Sequence, residues 1–124
     1  MTFEELDRLV ISWGIDKDLI KRENADKQFM KFIEEVFEFK TEMDIFVDYD
    51  SVDDWFKSDD DYLKDLIRMA TNMKLEMGDI FVTLIILSAQ LDIDLTECLE
   101  MAYEKISKRK GKTIDGIFVK EEDL

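Results

Sequence analysis

The sequence predicts an all-α protein, a bundle of four to five helices that ends in a short β-hairpin-like tail. Three observations favour this class. The chain contains no proline and only four glycines, so long uninterrupted helices are permitted. Hydrophobic residues make up 46% of the chain and include nine Phe, two Trp and three Tyr, which is enough for a packed core. Because 124 residues is the length of one domain, we expect a single domain over residues 1–124.

The first half of the chain has the pattern of two helices. The first spans Phe3–Trp13, where apolar residues recur at helical spacing, and Gly14 is expected to end it. Asn24 is the expected N-cap of a second helix, which runs from about Ala25 to Phe46. The segment Asp44–Asp61 then breaks the helical period with acids and turn-forming residues, so we expect a surface loop there, with a helical turn at Val52–Phe56.

The second half predicts two more helices and the tail. A third helix begins near Asp60 and ends near Leu91, and its stretch Leu75–Leu87 is apolar nearly all round, which predicts burial. Asp94 is the expected cap of a fourth helix that reaches about Lys110. In the tail, Asp115–Gly116 lies between β-forming residues, which is typical of a tight hairpin.

Charge and cysteine content exclude several classes of function. The net charge of −14 would repel a phosphate backbone, so we expect no nucleic-acid partner. The longest apolar run, Ile80–Ala89, is too short to cross a bilayer, so we expect no membrane partner. Cys98 is the only cysteine and is expected in the core. The N-terminal residues lack the features of a signal peptide, and a cytoplasmic location is the expectation.

Two acidic pairs share one spacing, Glu35-x-x-Glu38 on the second helix and Glu76-x-x-Asp79 on the third. Each pair places two carboxylates on one side of its helix. If the two sides meet in the bundle, four carboxylates converge and need cations between them. The chain has no histidine, which excludes the usual zinc and di-iron ligand sets and leaves oxygen ligands for Mg²⁺ or Mn²⁺.

Three stretches carry a family resemblance: "KFIEEVFEF" (Lys31–Phe39), "KLEMGDIFVTLIILSAQLDIDLTECLEMAYEKISKRKGK" (Lys74–Lys112) and the closing "GIFVKE". Together they resemble the MazG-like all-α nucleoside triphosphate pyrophosphohydrolases over nearly the whole chain. That family has a Glu-Glu-x-x-Glu element followed on a later helix by Glu-x-x-Asp. The matching positions here are Glu34, Glu35, Glu38, Glu76 and Asp79.

The chain departs from the family pattern at two places. Thirty-seven residues separate Glu38 from Glu76, more than the family usually has, so Asp44–Asp61 looks like an acidic insertion. Family members often carry an Asn just after the Lys that matches Lys105, whereas Ile106 and then Ser107 follow it here.

The resemblance implies the MazG-like fold, a homodimer or homotetramer, and hydrolysis of a nucleoside triphosphate to the monophosphate and pyrophosphate. It implies Mg²⁺, with Mn²⁺ as an alternative, on the two acidic pairs. Glu34 or Glu35 would orient or deprotonate the attacking water, and the two stay open. The side chains that would neutralise the phosphates are Lys31, Lys105 and Arg109. Trp13 is a weaker candidate for stacking on the base, and a plain core position is its alternative.

Two functions of other classes also fit the composition. The first is a non-enzymatic acidic interaction protein that mimics nucleic-acid charge and binds a basic partner. Such a mimic would keep its acids on the surface. The second is a helical dimerisation module whose buried acids form ion pairs with Lys31 or Lys105. The burial of the acids and their partners therefore separates these alternatives from an enzyme.

Overall fold

A computed structural model of the protein describes residues 1–50 and 59–124, and over these residues it confirms the all-α class. The chain forms two compact units, Met1–Asp92 and Ile93–Leu124. The first unit contains helices α1 (Phe3–Asp16), α2 (Ala25–Asp50) and α3 (Asp59–Gln90), with a 3₁₀ turn at Arg22–Asn24. The second contains helix α4 (Leu95–Ser107), strands β1 (Gly111–Ile114) and β2 (Ile117–Lys120), and a 3₁₀ turn at Glu121–Asp123.

Helices α2 and α3 pack against each other in antiparallel orientation. Near one end of the pair, Gln28 Nε2 donates to the carbonyl oxygen of Thr83 at 3.3 Å. Near the other end, Tyr49 Oη donates to Asp65 Oδ2 at 2.9 Å, and the ring of Tyr49 stacks on that of Tyr62. Burial raises the pKa of Tyr49, and the hydrogen bond to Asp65 raises it further. The buried apolar side chains among the described residues all lie on α3: Met69, Ile85 and Ile86.

Helix α1 packs on α3 through an aromatic contact near its start and through a close approach of Ile86 to Gly14 near its end. The rings of Phe3 and Phe81 meet edge to face with centroids 6.2 Å apart. A capping box of Thr2 and Glu5 begins the helix. The expectation that Gly14 ends α1 is wrong, because the helix continues to Asp16 and Gly14 is buried within it. Because Gly14 has no side chain, Ile86 of α3 can pack directly against the backbone of α1.

The expected loop at Asp44–Asp61 is wrong at its start, whereas the expected start of the third helix near Asp60 is confirmed. Helix α2 continues to Asp50 and helix α3 already begins at Asp59. Exposed acids do not end a helix when they find partners one turn away, and Lys40 Nζ contacts Asp44 Oδ1 at 2.7 Å. The helical turn expected at Val52–Phe56 lies outside the described residues.

The burial expected for Leu75–Leu87 is only partly observed. Ile85 and Ile86 are buried, whereas Leu75 is 64% and Phe81 44% exposed. A helix that is apolar nearly all round needs neighbours on every side, and within the first unit α1 and α2 cover only part of α3. No helix in the described ranges combines the length and the apolar character that crossing a bilayer requires.

The second unit follows the sequence pattern closely. Asp94 Oδ1 accepts from the backbone N–H groups of Thr96 and Glu97, which confirms Asp94 as the N-cap of α4. The helix ends at Ser107, earlier than expected. Strands β1 and β2 pair antiparallel, and the turn between them has φ of +51° at Asp115 and +79° at Gly116, as a type I′ turn requires.

Apart from Leu95, the apolar side chains of α4 are exposed, contrary to the expectation for Cys98. A unit of one helix and one hairpin is too small to bury them by itself.

We expect Gly14→Ala to destabilise the protein by roughly 1–3 kcal/mol, as overpacking of a core does. A Cβ at Gly14 would lie 2.6 Å from Ile86 Cδ1 and 2.8 Å from Ile20 Cδ1. Gly78→Ala is the matched control, because nothing lies within 4 Å of the added Cβ and helix propensity favours Ala by about 1 kcal/mol. Urea unfolding of both variants measures the difference. Stabilisation by both substitutions would show that the Gly14 contact is not tight.

Candidate active site

The packing of α2 on α3 brings three carboxyl groups together. Glu35 and Glu38 come from α2 and Glu76 from α3, and one oxygen of each lies within 4.8 Å of an oxygen of the other two. We call these three residues the carboxylate cluster. They belong to one side of each helix because the i, i+3 spacing keeps Glu35 and Glu38 adjacent on the helix surface. The acidic sides predicted from the sequence therefore do meet.

The cluster contains buried oxygen atoms with no hydrogen-bond donor. Glu35 is 7% exposed, Glu76 is half-buried and Glu38 is exposed. Glu35 Oε2 and Glu76 Oε2 are buried and have no hydrogen-bond partner among the described residues. A carboxylate oxygen only accepts, so facing carboxylates form a hydrogen bond only when one of them holds a proton. The ionised cluster needs an external donor or a cation.

The pKa values of two cluster residues reflect this crowding. Burial raises the pKa of Glu76 above its ordinary value, and the charges of Asp79 and Glu35 raise it further. Close contact with Glu35 raises the pKa of Glu38, with additional contributions from burial and from the charges of Glu35 and Glu76. Both shifts mean that the protein resists ionising these groups together when no cation is bound.

One lysine approaches the cluster from α2 itself. Lys31 Nζ lies 3.2 Å from Glu35 Oε1 and 3.3 Å from Glu34 Oε2. These two hydrogen bonds, the one with Glu35 first, raise the pKa of Lys31 and keep it charged. The ion pair expected of a dimerisation module is thus present for Glu35, but no ion pair to Glu76 or Glu38 occurs in the parts of the chain that the structure describes. A single lysine leaves the cluster with excess negative charge.

Asp79 is exposed and lies outside the carboxylate cluster. The expectation that it is a buried acid is wrong, and the structure brings together three of the four predicted ligands. Its side chain is one methylene shorter than that of a glutamate, so it reaches less far from α3. Its place as a fourth ligand stays a prediction.

A cavity of about 320 Å³ lies beside the cluster, and Asp79 is on its wall. We call it the tryptophan cavity. Trp13, half-exposed, lines it, so the alternative of a plain core position for Trp13 is not what the structure shows. The residues that line the cavity are Trp13, Leu19, Gln28, Lys31, Glu35, Asp79, Val82, Thr83 and Ile86.

The remaining predicted residues lie outside the cluster. Glu34 is exposed and pairs with Lys31. Lys105 is in the last turn of α4, and Arg109 lines a separate cavity of about 540 Å³ in the second unit, together with Lys108, Lys110 and Lys120. Whether Lys105 and Arg109 contact the same ligand as the cluster stays a prediction.

Two polar residues near the cluster were not found from the sequence, Gln28 and Thr83. Gln28 precedes Lys31 by three residues and Glu35 by seven, the spacing of one helical side. This spacing is the signal that could have identified it. Thr83 follows Asp79 by four residues on α3, but nothing in an apolar stretch distinguishes it from a structural threonine.

The cluster fits a hard divalent cation. Its ligand atoms are all carboxylate oxygens, its charge is negative, and two of its buried oxygens lack a hydrogen-bond donor among the residues that the structure describes. Mg²⁺ and Mn²⁺ prefer this ligand chemistry, and a cation between the helices would satisfy the oxygens that the protein leaves without partners.

Comparison with known proteins agrees with this geometry. The family model described as MazG nucleotide pyrophosphohydrolase domain matches residues 26–114, more than two thirds of the 124-residue chain. The matched range includes the whole carboxylate cluster, Glu34 and Asp79. Searches of the curated proteins and of the solved structures gave no significant match.

The raised pKa values predict how stability depends on pH without metal. The folded protein holds protons on Glu38 and Glu76 more tightly than the unfolded chain, where their pKa is about 4.5. As pH rises from about 4.5 through the folded-state pKa values, the folded state binds more protons than the unfolded state, so the free energy of unfolding falls. We therefore expect Glu76→Gln to melt above the wild type at pH 7 and the difference to shrink toward pH 4.5.

Thermal melts in excess chelator across this pH range measure the effect. A Glu76→Gln variant that melts well below the wild type at pH 7 would contradict it, because that result requires a cationic partner for Glu76.

We expect Mg²⁺ to make the wild type more stable than Glu76→Gln, which is the reverse of the order expected without metal. A cation that binds only the folded state stabilises it by about 2.7 kcal/mol at a hundredfold excess over its dissociation constant. We expect the melting temperature of the wild type to rise with Mg²⁺ and that of Glu76→Gln to rise much less. Equal shifts in both proteins would place the bound ion away from the cluster.

Proposed function

The chain belongs to the MazG nucleotide pyrophosphohydrolase family, and we propose that it is a Mg²⁺-dependent enzyme that hydrolyses a nucleoside triphosphate to the monophosphate and pyrophosphate. One observation carries the proposal. Two helices hold three carboxyl groups within 4.8 Å of one another, and two of the buried oxygens have no donor in the described chain. Such an arrangement costs stability and is useful only when a cation is bound.

The burial of Glu35 argues against a charge mimic. A protein that imitates nucleic acid displays its acids to a partner, whereas Glu35 is 7% exposed and buries one oxygen without a partner. Lys31 pairs with Glu35, and within residues 1–50 and 59–124 Glu76 has no cationic partner, which argues against a purely structural ion-pair network.

In the proposed mechanism Glu35, Glu38 and Glu76 hold the cation, and Asp79 is the fourth ligand. When bound, Mg²⁺ would neutralise charge on the triphosphate and make the α-phosphorus more electrophilic. We assign the orientation and deprotonation of the attacking water to Glu34. It lies outside the cluster, is exposed, and is held 3.3 Å from Lys31. Glu35 is the alternative, but the cation would engage its carboxylate.

Phosphate binding would fall to Lys31, Lys105 and Arg109. Lys31 is positioned for this role because it is charged, next to the cluster and on the wall of the tryptophan cavity. Binding of a cation by Glu35 would leave the ammonium group of Lys31 available to a phosphate oxygen.

We further propose that the protein is a homodimer or homotetramer in which a second copy covers α3. In the first unit only three apolar side chains are buried among the described residues, which is a small core for a stable fold. Leu63, Ile67 and Leu75 are more than half exposed and recur at helical spacing along α3. An apolar surface that the folded protein must always keep out of water is best buried against a second copy of the same chain. Light scattering with size-exclusion chromatography measures the oligomeric state.

The function is tested with a panel of NTPs and dNTPs in the presence of Mg²⁺, with pyrophosphate and orthophosphate measured separately. We expect pyrophosphate from at least one nucleotide and no activity in excess chelator. Release of orthophosphate alone, or no turnover of any nucleotide, would contradict the proposed reaction.

Two neighbouring substitutions separate water activation from metal binding. We expect Glu34→Gln to lower kcat about 10²–10⁴-fold, the usual contribution of a general base, without raising the Mg²⁺ concentration needed for half activity. Glu35→Gln should raise that Mg²⁺ concentration. If Glu34→Gln retains full kcat and only Glu35→Gln loses it, the base is Glu35.

A further inference from the structure

The tryptophan cavity has the size and the lining of a site for a small aromatic ring. Its volume of about 320 Å³ lies at the lower end of small-molecule pockets. Trp13, Leu19, Val82 and Ile86 supply apolar wall, and the wall continues to Lys31 and Glu35 of the predicted metal and phosphate site. A nucleotide whose phosphates lie at the cluster would bring its base to this cavity.

The amide of Gln28 has a fixed orientation. Its Nε2 donates to the backbone carbonyl of Thr83 at 3.3 Å, and a carbonyl oxygen only accepts. The Nε2 and Oε1 atoms therefore cannot exchange places without loss of this bond. In the described parts of the chain Oε1 accepts no hydrogen bond, so Gln28 offers the cavity an acceptor, with one remaining N–H beside it.

The hydroxyl of Thr83 is an acceptor as well. Thr83 is 5% exposed, and its Oγ1 donates its only proton to the carbonyl of Ile80 at 2.7 Å. What remains on Oγ1 is lone pairs. Because Gln28 is bonded to the backbone of Thr83, the two acceptors are neighbours on the cavity wall.

We infer that Gln28 and Thr83 recognise an exocyclic amino group on the base, so the enzyme prefers cytosine over uracil and adenine over hypoxanthine. This inference rests on the proposed function. Cytosine presents N4–H₂ donors next to the acceptor N3, which suits Gln28 Oε1 and its remaining N–H. Uracil could also pair with the amide of Gln28, but its O4 would then face the lone pairs of Thr83. Thr83 therefore decides between the amino and the oxo base.

The first experiment needs no variant. It compares kcat/KM for three pairs of substrates that differ by an amino or an oxo group: CTP with UTP, dCTP with dUTP, and ATP with ITP. We expect the amino member to be preferred about tenfold in each pair, which is the effect of one hydrogen bond gained or left unmade. A ratio of one or below overturns the inference and leaves the proposed function intact, whereas no turnover of any nucleotide overturns both.

Two variants assign the preference to its residues. Thr83→Val should bring the CTP to UTP ratio close to one, whereas Gln28→Leu should lower kcat/KM for both nucleotides. Thr71→Val is the matched control, because Thr71 Oγ1 also donates to a helix carbonyl on α3, that of Ile67 at 2.8 Å, but lies outside the cavity. The Thr71→Val ratio should equal that of the wild type, and an unchanged ratio in Thr83→Val would overturn the assignment.

Discussion

The antiparallel packing of α2 against α3 is the constraint on which the rest of the structure depends. It places Glu35 opposite Glu76, and the apolar side chains of Met69, Ile85 and Ile86 hold that position against the repulsion of the acids. Mutual repulsion and burial oppose the cluster, so the fold tolerates it only because apolar packing elsewhere on α3 compensates. The same packing positions Gln28 beside Thr83, which means that the metal site and the tryptophan cavity share one structural origin.

Local features of the fold could be predicted from the sequence because local chemistry determines them. Asp94 caps α4, and Asp115–Gly116 forms the hairpin turn, as their side-chain and backbone preferences require. The sequence wrongly predicts that α1 ends at Gly14, because a glycine near the end of a helical pattern usually ends the helix. Only the tertiary contacts of Gly14 show that it is a position of close packing inside the helix. The extension of α2 to Asp50 was missed because acid-rich sequence predicts a loop unless partners such as Lys40 are known.

Part of the candidate site could also be predicted, because local sequence patterns identify it. The i, i+3 spacing and the family resemblance identified Glu35, Glu38 and Glu76, whose convergence the structure shows. The exposure of Asp79 depends on how far each side chain reaches from α3, which periodicity does not encode. Gln28 owes its orientation to a carbonyl fifty-five positions away in the chain, and no single-sequence pattern contains such a contact.

The antiparallel pairing of α2 and α3 also determines which changes of chain length the site can survive during evolution. Side-chain packing along the two helices sets which residues oppose each other, so residues added between the helices lengthen the connection and leave Glu35 facing Glu76. A residue added inside either helix rotates every later side chain by about 100° and moves the second acid of a pair off the shared side. The number of residues between the end of α2 at Asp50 and the start of α3 at Asp59 is therefore free to vary, and the three-residue spacing within each acidic pair is not.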